Sequence, residues 1–421
     1  MIAMPRGLRG WIAAAGLMVI SIGAASAASP AFDRSLLGEV RQAVQGEVTV
    51  RTAVPDAKEI QAIFGVPVIE KGVQPVFVEI QNDGDAPLWY MPITTDETYF
   101  APLEVAWRFR DPLDPKTGVE AAKAMTRFAM PLSIPAHATV SGFVFTHLET
   151  GLKFLTFGML KGGDEIEFRF IVPVSGPAYL GEKVDFATIY KPGEIRNVDL
   201  AGLRAAIEAL PCCTTNADGT KKGDPLNLVV VGDLPAIFAF TSRGWRLTEP
   251  LDLHSAIDTA KSFLIGSQYE TSPVSPLYAL GRAQDLALQK ARSTIDERNH
   301  MRFWLTPLRY EGKDVWLGQI SRDIGVELTT KSWYLTTHKI SPSVDFDRDY
   351  LLQDVLLSGA VEHFGYAKGV GLSSADAPRV NLTDDPYMTD GLRLVLMIGG
   401  EDDPIEDVDA LEWEALPEPV P

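Results

Sequence analysis

Between residues 141 and 174 the chain writes three strand-length runs separated by two glycine-bearing turns, and few folds accept that pattern. Residues 141–145 lead into Glu149-Thr150-Gly151, and residues 152–160 end at Lys161-Gly162-Gly163-Asp164. In 166–174, Ile166, Phe168, Phe170 and Val172 alternate with Glu167, Arg169 and Ile171, the period of a strand with one buried face. Turns this short join antiparallel neighbours. Residues 47–53 and 74–81 alternate in the same way, with Val76, Val78 and Ile80 inward, and Asn82-Asp83-Gly84-Asp85 turns the chain. Residues 33–180 therefore predict an antiparallel β-sandwich of immunoglobulin-like type. Two helical pieces are expected beside it, over 32–45 and over 56–64, the second stopped by Gly65.

A linker follows over 181–225, with a helix at 197–210 that Pro211 ends. Residues 226–231 are continuously apolar, which suits a strand buried on both faces. Helices are expected at 255–264 and 277–292. In the latter, Arg282, Asp285, Gln289 and Arg292 share one face, opposite Leu280, Ala283 and Leu286. Residues 299–305 read as a strand with His300, Arg302 and Trp304 on one side and Met301, Phe303 and Leu305 on the other. Residues 315–321 pair back through the turn at Gly312, with Asp323 just beyond. The sheet continues over 326–337, and His338 closes its strand. Ser343 or Asp345 then caps a helix with Leu351, Leu352 and Val355 as its buried stripe. Residues 392–398 form a last core strand. Residues 226–400 thus predict an α+β domain with a mixed sheet, and the whole chain is α+β. The acidic tail, 401–421, has no base and reads as mobile, or docked through a short helix on Ile405, Val408 and Leu411.

The formal net charge is −18. That excludes a nucleic-acid partner, which needs a basic surface, and opposes anionic lipid unless a local basic patch intervenes. Arg6 and Arg9 precede an apolar run that ends at Ala25-Ser26-Ala27, the layout of a cleaved secretory signal peptide over residues 1–27. The alternative is an uncleaved anchor. No other stretch reaches the ~18 apolar residues of a membrane helix, so the mature chain is expected to be periplasmic or secreted, without a span. Cys212 and Cys213 are adjacent, either a strained vicinal disulfide or a pair of free thiols. No cofactor motif and no metal-ligand spacing is present, so neither is expected.

The candidate chemistry lies between residues 275 and 354. His300 and His338 are candidate general bases, and Asp323 is a candidate orienting carboxylate. Arg282, Asp285, Gln289, Arg302, Asp345 and Arg348 are candidate ligand contacts, the arginines as bidentate anion clamps. Two readings follow. One is an exported, envelope-associated binding or accessory module, with an envelope component or a small anionic compound as ligand. The other is a periplasmic hydrolase acting on an anionic or phosphorylated envelope compound. Whether the protein is an enzyme is left open between them.

Several segments resemble the LssY-type C-terminal domain family. They are PLNLVVVGD at 225–233, SPLYALGRAQDLALQKA at 275–291, RNHMRFW at 298–304, VWLGQISRDIG at 315–325, THKISPSVDFDRDYLLQD at 337–354 and TDG at 389–391. The resemblance covers about 226–399. Related domains occur beside membrane-embedded phosphatase-like segments, which this chain replaces with the β module. The resemblance implies one folded unit and assigns no activity to it.

Overall fold

The computed structural model describes residues 33–174, 186–233, 236–248, 276–291, 298–328, 336–399 and 405–415, with the backbone alone for 326–328 and 336–338. The expected signal peptide and the expected helix at 255–264 lie outside the described residues. The first half opens with strands β1 (Arg41–Gln45) and β2 (Val48–Ala53), joined through Gly46 at φ 56°. This corrects the helix expected over 32–45: of residues 33–45 only Arg34–Leu36 form a helical turn, and pairing with β2 holds Arg41–Gln45 extended.

Helix α1 (Ala57–Phe64) starts on a reciprocal cap between Asp56 and Glu59 and stops at left-handed Gly65. Strands β3 (Val73–Asn82) and β4 (Leu88–Met91) are followed by helices α2 (Pro92–Thr95), α3 (Pro102–Trp107) and α4 (Pro115–Phe128). Then come β5 (Ser133–Ile134), β6 (Ala138–His147), β7 (Gly151–Lys161) and β8 (Asp164–Val174). They make two antiparallel sheets, β1-β2-β3-β6 and β5-β4-β7-β8. Val76, Val78 and Ile80 of β3 meet Leu155, Phe157, Phe168 and Phe170 of the other sheet in one core. The opposite face of β3 and β6 is buried too, as Phe77, Phe143 and Phe145 pack under α1, α3 and α4. A Cβ on Gly142 would sit 2.6 Å from the Met130 backbone, so only glycine lets that segment cross β6.

The second half is built on one large sheet. Its elements are β9 (Arg196–Val198), α5 (Leu200–Glu208), β10 (Cys213–Thr215), β11 (Lys222–Pro225), β12 (Leu228–Val231), α6 (Ile237–Thr241), β13 (Arg246–Leu247), β14 (Tyr278–Ala279), β15 (Arg282–Ala283), β16 (Leu286–Ala291), β17 (Arg298–Tyr310), β18 (Lys313–Leu328), β19 (Thr336–Ile340), α7 (Val344–Leu356), β20 (Val361–Lys368), β21 (Arg379–Val380), β22 (Pro386–Tyr387), β23 (Leu392–Ile398) and β24 (Asp409–Ala410). The order is β13-β16-β17-β18-β12-β23-β20-β24, with β9 beside β17 and β19 beside β18. Parallel β12–β23 pairing within antiparallel neighbours makes it mixed, as expected. One face packs Leu288, Met301, Phe303 and Ile320 against α6 and α7. The other packs Trp304, Leu317 and Val395 against Leu203 and Ile207 of α5.

Two expectations are overturned here. The described part of the expected helix, 277–291, holds three strands, not a helix, and Arg292 lies outside the described residues. Leu280 and Gly281 hold positive φ, 52° and 77°, in a tight turn between β14 and β15, and β16 then pairs along β17. Of the tail, residues 405–415 are described: Ile405–Asp407 form a short helical turn with Ile405 exposed, and docking is by strand, β24 lying beside β20 while Glu414 reaches Arg204 and Lys368. Cys212 and Cys213 are bonded as a vicinal disulfide.

Candidate functional site

Strand pairing assembles a polar face in the middle of the large sheet. Gln289 lies opposite His300, and His300 opposite Ser321. Ala287 lies opposite Arg302, and Arg302 opposite Gln319. Period-two alternation then puts Gln289, Arg298, His300, Arg302, Gln319, Ser321 and Asp323 on one side, the side of Trp304. Asp224 joins them from β11. All eight are buried.

The contacts are specific. His300 Nε2 is 2.6 Å from Asp323 Oδ2. Arg298 Nη1 donates to Gln289 Oε1 at 3.2 Å, and its Nη2 lies 3.7 Å from Asp323 Oδ2. Arg302 Nη1 donates to Gln319 Oε1 at 3.0 Å. Burial pushes the Asp224 carboxyl up against the pull of Arg302. Burial also pushes His300 down to about 4, and Arg298 and Arg302 add to this, outweighing the attraction of Asp323. The imidazole is therefore neutral at physiological pH. Facing a carboxylate, Nε2 carries the proton and donates it. That leaves Nδ1 as a bare lone pair, and among the described residues it has no hydrogen-bond partner. Asp224 Oδ1 and Gln319 Nε2 are buried and unpartnered as well. A neutral histidine oriented by a carboxylate has the form of a general base, beside two guanidiniums and two amides that can hold a polar molecule.

Of the sequence-predicted residues, His300, Asp323, Arg302 and Gln289 come together on this face. The rest do not. His338 pairs with Val326 on β18, five residues past the Ser321 that faces His300, about 17 Å of extended strand. Its side chain lies outside the description. Arg282 and Asp285 form a two-bond ion pair, Nε–Oδ1 2.8 Å and Nη2–Oδ2 2.6 Å, at the Leu305 end of β17. Asp345 and Arg348 bind the turn before β23: Arg348 reaches both Asp390 oxygens at 2.9 and 3.0 Å, and Asp345 accepts from Thr389 Oγ1 and the Asp390 N–H. Sequence reasoning missed Arg298, Gln319, Ser321 and Asp224. The first three share the alternation that revealed His300. Asp224 follows the loop after the cysteines and carries no periodic signal.

Residues 205–392 match the family model described as LssY C-terminus. This part of the chain is similar to the LssY C-terminus family. The matched span runs from within α5 to the start of β23 and contains the whole polar face. The matched span also includes the contacts by which Asp345 and Arg348 of α7 hold the turn at Asp390. No curated protein matches the chain. Among the described residues no helix is long and apolar enough to cross a membrane.

Proposed function

We propose that the chain is an exported, envelope-associated binding module, and that its ligand is a small polar or anionic compound received on the polar face of the LssY C-terminal domain. One observation carries the reading: His300 Nδ1, Gln319 Nε2 and Asp224 Oδ1, from three strands, are buried on the same face without hydrogen-bond partners among the described residues. Each such group costs about 1–3 kcal/mol unless something bonds to it. A ligand with both donors and acceptors would recover that loss. Arg298 and Arg302 favour an anionic substituent. Export rests on the layout of residues 1–27 and is tested by N-terminal sequencing of fractionated cells. A cytosolic protein beginning at Met1 removes it.

Thermal shift with inorganic phosphate, sn-glycerol 3-phosphate and acetate tests the site. Binding raises Tm in proportion to occupancy, and Arg302→Ala should abolish the shift. No shift with any probe, or an equal shift in the variant, rejects the polar face as an anion site. A second reading is hydrolysis of an anionic envelope compound, favoured by the His300–Asp323 pair at 2.6 Å. It requires turnover of a phosphomonoester such as p-nitrophenyl phosphate that His300→Ala removes. For the first half we read residues 33–180 as an immunoglobulin-like sandwich domain. Its two antiparallel sheets around one core support this, although α1, α3 and α4 cover an outer face that a plain sandwich leaves to solvent. Limited proteolysis between 181 and 225 should release resistant fragments.

A further inference from the structure

A cavity of about 330 Å³ lies away from the polar face, at the opposite end of the β17–β18 pair. It opens where the ladder loses register between Leu305 and Arg309. Phe186, Tyr190, Leu305 and Thr306 line it together with Arg309 and Asp314. Its walls are held in place. The Phe186 ring packs edge-on against Trp316 at 5.4 Å. Tyr190 Oη donates to the Leu305 carbonyl at 3.0 Å and accepts from Arg282 Nη1 at 3.0 Å. Arg309 Nη2 lies 3.0 Å from Asp314 Oδ1. Among the described residues Arg309 and Asp314 share this contact, which leaves further guanidinium N–H groups and a second carboxylate oxygen for a ligand.

We propose that this cavity binds a single sugar ring. The volume stands at the small end for ligand sites, room for one ring and its substituents. An acyl chain is disfavoured, because it would strip water from Arg309 and Asp314 and return no hydrogen bond. A simple anion meets the Asp314 charge, and a simple cation meets Arg309. A neutral ring with neighbouring hydroxyls suits both, accepting from Arg309 and donating to Asp314. Its apolar C–H face suits the aromatic and Leu305 walls. A zwitterion such as an amino acid would satisfy the same pair of charges, and the test separates the two.

The full chain is titrated with D-glucose, D-galactose, N-acetyl-D-glucosamine and glycine, followed by saturation-transfer NMR and calorimetry. We expect saturable binding of at least one sugar and none of glycine. Arg309→Ala and Asp314→Asn should each weaken it about tenfold or more, since each removes a charged hydrogen bond. His300→Ala, on the other face, should leave it unchanged. Arg309 is 42% exposed, so its replacement is expected to leave the fold intact, and matched melting curves verify this. The proposal is overturned if no sugar binds, if glycine binds in their place, or if sugar binding survives Arg309→Ala.

Discussion

His300 is the residue whose environment departs furthest from what its position along the chain suggests. It sits on a strand side that alternation alone leaves free to face water, yet it is buried between two arginines and bonded to Asp323. Its folded-state value of about 4 lies below its ordinary 6.5. As pH falls from 6.5 towards 4, the unfolded chain takes up a proton that the folded chain refuses. Stability therefore drops through that window, by on the order of 3 kcal/mol, and levels off below it. The raised carboxyl of Asp224 acts in the opposite sense at acid pH, so comparison with a variant isolates the histidine. Melting curves of wild type and His300→Gln between pH 7 and pH 4 should converge as the pH falls. Parallel curves would mean that His300 titrates like an exposed imidazole.

At the scale of elements, α7 is fastened by charge as much as by its apolar stripe. The Arg348 side chain is fully buried. Burial opposes its charge, but Asp390, Asp345 and Asp349 outweigh that and hold its value above the usual arginine range. Its guanidinium also lies 4.8 Å from the Tyr366 ring centroid. Arg348→Ala would leave Asp345 and Asp390 facing each other without their cation. We expect a loss of about 3–5 kcal/mol in urea unfolding. A loss under 1 kcal/mol would show that the turn before β23 holds α7 without it. The Cys212–Cys213 bond is a contrast. A link between adjacent residues closes almost no loop, so it removes little entropy from the unfolded chain. Reduction with dithiothreitol should move Tm by no more than a degree or two, and a large drop would mean that the bond shapes the β10–β11 hairpin itself.

Across the whole molecule, the two halves meet through a largely buried ion cluster, with Asp96 and Lys153 buried and Arg246, Glu149 and His147 half-buried. Arg246, on the edge strand of the large sheet, reaches Glu149 at 2.5 Å and Asp96 at 3.2 Å, while His147 and Lys153 close the network from the first half. Burial opposes the Asp96 charge, yet Arg246, His147 and Lys153 together hold its carboxyl well below the usual range. Phe154 meets Phe238 beside it, edge to face at 5.1 Å. Arg246→Ala should split one calorimetric unfolding transition into two, because it removes the cation that the acids of the first half share. A single transition at lower temperature would show that apolar contact alone couples the halves. Local periodicity was enough to read the strands at 47–53, 74–81, 152–160, 166–174 and 299–305 and the shared side of His300 and Arg302, and a helix expected over 197–210 that forms over Leu200–Glu208 after a strand at Arg196–Val198. Side-chain alternation is written into the chain wherever one face must be buried. The pairing partners were not legible. Residues 277–292 show helical spacing, yet 278–291 form strands, since pairing along β17 outweighs a weak local preference. His338 and His300 look alike in sequence, and register alone sets their backbones opposite different stretches of β18. Asp224 reaches the polar face, and helices cover the outer side of the first sheet, only through contacts between residues far apart in the chain. No short window of sequence carries those contacts, so three-dimensional packing decided them.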